Sequence, residues 1–114
     1  MNMGAAVAAT LVSDTIKETD GSGYIFQNLN RENLRAVQTP QAFKIDVLRR
    51  ALTYVRNKEL RVTDDTTACE FIGQPVALVE SDLPNPKVTC QTDLLYVQSL
   101  LTSQSQLATP KQLL

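Results

Sequence analysis

Histidine is missing from all 114 residues. Its absence excludes Ser-His and Cys-His nucleophilic sites and leaves any acid–base chemistry to carboxylates, lysine or tyrosine. It also argues against zinc. A charge of one sign is missing as well: 11 Lys and Arg stand against 12 Asp and Glu, for a net charge of -1. No electrostatic field exists to hold nucleic acid or an anionic membrane surface. Cysteine is limited to Cys69 and Cys90, which are far apart and lack metal-ligand spacing, and they read as reduced, cytosolic, structural residues. No Gly-rich phosphate-cradling loop of either familiar type occurs. The apolar opening "MNMGAAVAATLV" is too short to span a membrane and lacks the basic start of a secretory signal.

What is present fits one α/β domain, able to bury about two-thirds of the surface its unfolded chain exposes. Residues 4–10, "GAAVAAT", form an unbroken small-apolar run that predicts a parallel strand covered on both faces. "VSDTIKETDGSGYIFQNL" reads as two extended segments around "GSG", whose glycines permit the positive φ of a tight turn. Neither face of the first segment is apolar enough to dock on a core, so the hairpin should project. In "TPQAFKIDVLRRALTYVRN" the spacing predicts a helix with Thr39 as its N-cap and Pro40 at the first helical position. A shorter helix is expected in "TDDTTACEFIG", capped by Thr63, favoured by Asp64 and Asp65 at its positive end and closed by Gly73. "PVALVES" and "KVT" read as strands, and a last helix carries Leu94, Leu95, Val97, Leu100 and Leu101. The polar stretch "TSQSQLATPKQLL" reads as a frayed tail.

Few residues carry chemistry. A threonine at a helix start is ordinarily a cap, although its hydroxyl beside free N–H groups can also meet a phosphate or a polyol. Arg31, in "NLNRENL", is either a solvated surface charge or a bidentate clamp on phosphate. Lys87 in "NPKVT" stands out, because lysine is depleted in strands and one at a core edge needs an anion or a carboxylate as its partner. Asp64 and Asp65 read as dipole partners rather than metal ligands.

Four ordered blocks, "DTIK", "NRENLRAVQTPQAF", "VTDD" and "NPKVT", with Thr39, Thr63 and Lys87 spaced 24 residues apart, resemble the C-terminal half of 2-C-methyl-D-erythritol 4-phosphate cytidylyltransferase. The resemblance covers about residues 4–101 and implies part of a Rossmann-like nucleotidyltransferase fold. It makes residues 1–103 a partial domain, with an arm at about 12–31 that interlocks with its counterpart in a homodimer, and 104–114 a flexible tail. It also implies cytidylyl transfer from CTP to methylerythritol phosphate with release of pyrophosphate, in the non-mevalonate route to isoprenoids. In that reading Lys87 stabilises charge on the α-phosphate during attack. Thr15 and Arg31 reach the methylerythritol phosphate of the neighbouring subunit, and Thr39 and Thr63 line the same pocket, the subunit that Thr39 serves being open.

The family usually has isoleucine at Pro86, proline at Leu11, tryptophan at Arg35 and Pro-Glu at Gln91 and Thr92. Pro86 removes a backbone donor beside Lys87. The family's Gly-rich CTP loop, a second lysine and the aspartate that binds Mg2+ belong to its N-terminal half, so these residues alone are expected to be inactive. The strand at 4–10 is then expected to present an unpaired apolar edge. The alternatives are a ribitol-5-phosphate cytidylyltransferase, which shares "TPQ" and the lysine strand, and a non-catalytic dimerisation remnant. The cytoplasm is the expected compartment, or a plastid if a transit peptide lies upstream.

Overall fold

The computed structural model describes residues 4–113, with side chains described through residue 104. The chain divides into two compact units, one up to Asp82 and one from Leu83 onward.

The first unit is built on strand β1 (Ala5–Leu11). A short hairpin follows, strands β2 (Lys17–Thr19) and β3 (Ile25–Asn28), and then a 3-10 turn at Arg31–Asn33. Strand β4 (Arg35–Phe43) leads into helix α1 (Ile45–Asn57), helix α2 (Asp65–Phe71) and strand β5 (Ala77–Glu80). The sheet order is β4-β1-β5, with β4 antiparallel and β5 parallel to β1. The strand at 4–10 is therefore central, and the unpaired edge expected for it is not observed. The residues that fill that side, 35–43, read in the sequence as a connection and a helix start.

Side chains of β1 alternate across the sheet. Ala5, Val7 and Ala9 are buried, while Ala6, Ala8 and Thr10 on the opposite face are half-buried. One face is thus fully covered, rather than both. The core between the helices comprises Val47, Ala51, Ala68 and Cys69, with Phe43, Val55, Val62, Ile72 and Val76 packed against it. Small side chains let α1 and α2 approach closely, and Cys69 behaves as a small apolar residue.

The expected helix start at Thr39 is also corrected. A residue preceding proline is pushed toward extended backbone, and β1 offers a ladder that continues to Phe43 opposite Ala5. The helix begins only after Lys44, which has extended backbone and caps nothing with its side chain. At α2 the N-cap is Asp64, not Thr63, and its carboxylate accepts the Thr67 N–H. The closing glycine is as expected: Gly73 has φ +68 and its N–H bonds the Glu70 carbonyl. The hairpin also forms, with positive φ at Gly21 and Gly23 and with every residue of both strands exposed.

In the second unit, residues 87–89 are not a strand. The N–H and hydroxyl of Thr89 serve the start of helix α3 (Gln91–Leu113) instead. Lys87 is accordingly exposed and not at a core edge. Helical backbone runs through 104–113, where the composition suggested a frayed end. Gln, Leu, Ala and Lys are good helix formers, and the Thr102 hydroxyl bonds back to the Gln98 carbonyl at 3.0 Å. The side chains of 105–114 lie outside the described residues. Among the described residues, no helix is long and apolar enough to cross a membrane.

A Cβ at Gly73 would meet nothing within 4 Å, so only backbone conformation opposes a side chain there. Gly73→Ala is expected to lower stability by about 1–2 kcal/mol, with Gly73→Asn intermediate. Denaturant titration checks this, and an unchanged midpoint for the alanine variant would refute the conformational account.

Candidate functional site

Ligands in open α/β sheets bind outside the carboxyl ends of the parallel strands. Here those ends belong to β1 and β5, where Thr10, Leu11, Glu80, Ser81 and Asp82 line an open hollow of about 400 Å³. The chain leaves β1 directly into the base of the hairpin. There the Leu29 N–H donates to the Ile16 carbonyl at 3.1 Å, and an Arg31 guanidinium nitrogen donates to the Ser13 carbonyl at 2.6 Å. Thr15 lies between these two anchor points in sequence, so Thr15 and Arg31 share the hairpin base, both exposed.

Thr39 is positioned differently. The β1–β4 ladder is interrupted between Val7, opposite Gln41, and Ala9, opposite Val37. Gln38, Thr39 and Pro40 therefore face a single residue of β1, as in a bulge. Proline supplies no N–H to a ladder, and the exposed Thr39 stands beside it. The Gln41 amide braces this bulge, donating at 3.3 Å both to the Gln38 carbonyl and to an Asp64 carboxylate oxygen. That bond sets the bulge against the start of α2, where Thr63 lies. The Thr63 hydroxyl is 3.1 Å from that of Thr67.

Asp64 is heavily subscribed. Burial pushes its pKa up, but hydrogen bonds from the Thr66 hydroxyl, the Thr67 N–H and hydroxyl, and the Gln41 amide outweigh this and hold it below the usual carboxylate value. The positive end of α2 thus already carries a negative charge of the chain's own. Sequence reasoning missed Gln41 and the capping role of Asp64.

Arg31 is bonded two residues from Thr15, at Ser13, and Gln41, two residues from Thr39, is bonded to Asp64 beside Thr63. The Leu11–Arg35 and Val7–Gln41 rungs are four β1 residues apart, about 13 Å along a strand. A second open hollow, of about 480 Å³, is lined by Phe43, Ile45, Leu48, Leu52 and neighbours on α1 and contains none of these residues.

In the second unit, Lys87 follows the half-buried Pro86. Two residues later the chain is fastened by Asp93, whose carboxylate accepts from the Thr89 N–H and hydroxyl at 2.9 Å each, the Cys90 N–H at 3.0 Å and the Cys90 thiol at 3.3 Å. These bonds, those from Thr89 first, bring its pKa down to about 2.

A family model described as 2-C-methyl-D-erythritol 4-phosphate cytidylyltransferase matches residues 1–103. The chain belongs to this family. A Desulforamulus reducens protein of that name is 40% identical over 99 residues, covering 87% of this chain and 42% of that protein. One from Prochlorococcus marinus is 43% identical over 90 residues, 79% of this chain and 40% of its own length. The crystal structure of the cytidylyltransferase from Thermus thermophilus superposes with a TM-score of 0.72 at 38% identity, covering 87% of this chain and 48% of that one. That of 4-diphosphocytidyl-2C-methyl-D-erythritol synthase from Anaerococcus prevotii gives 0.79 at 31% identity, covering 87% and 44%. The α/β fold is thus that of the cytidylyltransferase family, and the chain spans less than half the length of these relatives.

Asp93 yields a pH prediction. Its folded pKa lies below the ordinary 3.8, so its bonds favour the ionised form and their contribution is complete above about pH 4. That contribution is lost as pH falls through about 2. An NMR titration of the Asp93 carboxyl carbon should show a midpoint near 2, and an ordinary midpoint would rule out the four-bond cluster.

Proposed function

We propose that this chain forms the substrate-phosphate side and the dimer arm of a cytidylyltransferase that joins CTP and 2-C-methyl-D-erythritol 4-phosphate. The family match along residues 1–103 carries this reading. A phosphate oxygen of methylerythritol phosphate attacks the α-phosphorus of CTP, the bond to the bridging oxygen breaks, and pyrophosphate leaves. Lys87 stabilises the charge that develops on the α-phosphate. Reactions of this type ask for positioning and positive charge more than for a general base, which suits a chain without histidine.

Thr15 and Arg31 reach the methylerythritol phosphate of the neighbouring subunit, and Thr39 and Thr63 line the same pocket. The wholly exposed strands of the hairpin support an arm that serves the neighbouring subunit's site. A hairpin with Tyr24, Ile25 and Phe26 exposed to 73%, 66% and 64% supports a second copy of the chain as its partner. Among the described residues, no group of three or more His, Cys, Asp or Glu could hold a metal. Mg2+ is ordinarily held by one or two carboxylates with substrate phosphates, and the aspartate that binds it in the family belongs to the N-terminal half, so no step assigned to these residues runs through a metal. The family match supports action in the cytoplasm.

The test is a chimera that places these residues after the N-terminal part of the Desulforamulus reducens relative, assayed by pyrophosphate release. Turnover of CTP with methylerythritol phosphate is expected, and the 114 residues alone should give none. Lys87→Ala should lower kcat by about 10²–10³-fold, and Arg31→Ala should act mainly on KM for the polyol phosphate. Faster turnover of ribitol 5-phosphate would overturn the substrate assignment. Sedimentation checks the arm: Phe26→Asp should shift dimer toward monomer, and an unshifted dimer would count against it.

A further inference from the structure

We infer that Arg35 is a positioning residue, which with Glu80 holds the 3-10 turn that presents Arg31. Arg35 opens β4 opposite Leu11, and Glu80 ends β5 opposite Ala9. Residues opposite each other in register lie on one face of a sheet, so the pair bridges the carboxyl end of β1 from one neighbouring strand to the other. The Arg35 Nε donates to a Glu80 carboxylate oxygen in an ion pair. A terminal nitrogen of the same guanidinium donates to the Glu32 carbonyl at 2.9 Å and to the Leu34 carbonyl at 2.7 Å.

Those two carbonyls flank the C-terminal side of the turn at Arg31–Asn33, while its start is capped by Asn30, whose side chain accepts the Glu32 N–H at 3.1 Å. The turn is closed by two bonds of its own, Asn33 N–H to the Asn30 carbonyl at 3.0 Å and Leu34 N–H to the Arg31 carbonyl at 3.1 Å. Its residues bury nothing, so its orientation on the sheet rests on polar contacts, those of Arg35 and the Arg31 bond to the Ser13 carbonyl. A planar guanidinium suits the arrangement because one rigid fork can meet a carboxylate and two carbonyls together, which an ammonium cannot do with the same geometry. Arg35 stands where the resembling family usually has tryptophan, so this polar bracket is a feature of this chain's own residues. What Arg31 then meets depends on the proposed function; that Arg35 fixes it does not.

The experiment uses the 114-residue chain, labelled with 15N and studied by NMR without turnover. In the wild type, the Arg31 Nε–H should show the restricted motion of a held side chain. Arg35→Ala should make that signal mobile and speed exchange of the Leu34 amide about tenfold, while signals of α1 stay in place. Glu80→Ala should do the same to a lesser degree, the double variant should add little, and Arg35→Lys should restore order only in part. If Arg31 stays as restricted in Glu80→Ala and Arg35→Ala as in the wild type, the assignment is overturned. If Arg35→Ala does not fold, Glu80→Ala decides alone. A parallel titration of the chimera with methylerythritol phosphate separates the two readings: a chimera with an ordered Arg31 that ignores the ligand would count against the proposed function and leave the role of Arg35 standing. Binding by the chimera that weakens about tenfold in Arg35→Ala would support both.

Discussion

Strand β1 is hydrogen-bonded on both sides, antiparallel to β4 and parallel to β5, and this double pairing fixes where almost every polar group of the first unit goes. The antiparallel ladder carries β4 past Leu11 to Ala5 and so dictates that α1 starts at Ile45. The parallel ladder brings Glu80 level with Ala9, within reach of an arginine one strand beyond. Its buried face of Ala5, Val7 and Ala9 contributes little bulk. Backbone pairing, more than side-chain volume, therefore holds this unit together around β1.

Much of the architecture was legible from local pattern. The run at 4–10, the "GSG" turn, the apolar spacing from Val47 to Val55, and Gly73 each carry their signal within a few residues. Errors arose where a distant partner decided the outcome. Thr39 and Pro40 have the chemistry of a helix start, but β1, some 30 residues earlier, offered a ladder and prevailed over the cap signal. "KVT" is a different case: it has strand chemistry, yet a near neighbour, the carboxylate of Asp93 four residues on, takes the N–H and hydroxyl of Thr89. Arg35 and Glu80 are 45 residues apart, and no spacing rule connects them. Asp64 rather than Thr63 caps α2, a distinction that two adjacent cap formers leave open in sequence.

The candidate site shares that limitation. Residue type singled out Arg31 and Lys87 as charges in need of a reason, and the family resemblance supplied the threonines. Neither source exposes how the charges are held. At α2 and near the start of α3, carboxylates of the chain itself bond the local amides, so neither of these two helix ends is a natural anion receptor. In the proposed function, recognition of an anion falls instead to side chains whose aim is set by bulges, turns and ion pairs. These are the features least visible in a linear sequence, because they depend on residues that meet only after the sheet has formed.

The two cysteines have a further use that follows from their surroundings. Cys69 is fully buried in the helix core, and burial pushes its thiol pKa up, whereas Cys90 is exposed at the head of α3. Thiolate is the reactive form. A brief pulse of an alkylating reagent should therefore mark one sulfur in folded molecules and two in unfolded ones. The chain thus contains its own internal ratio: labelling at Cys90 counts molecules, and labelling at Cys69 counts openings of the core.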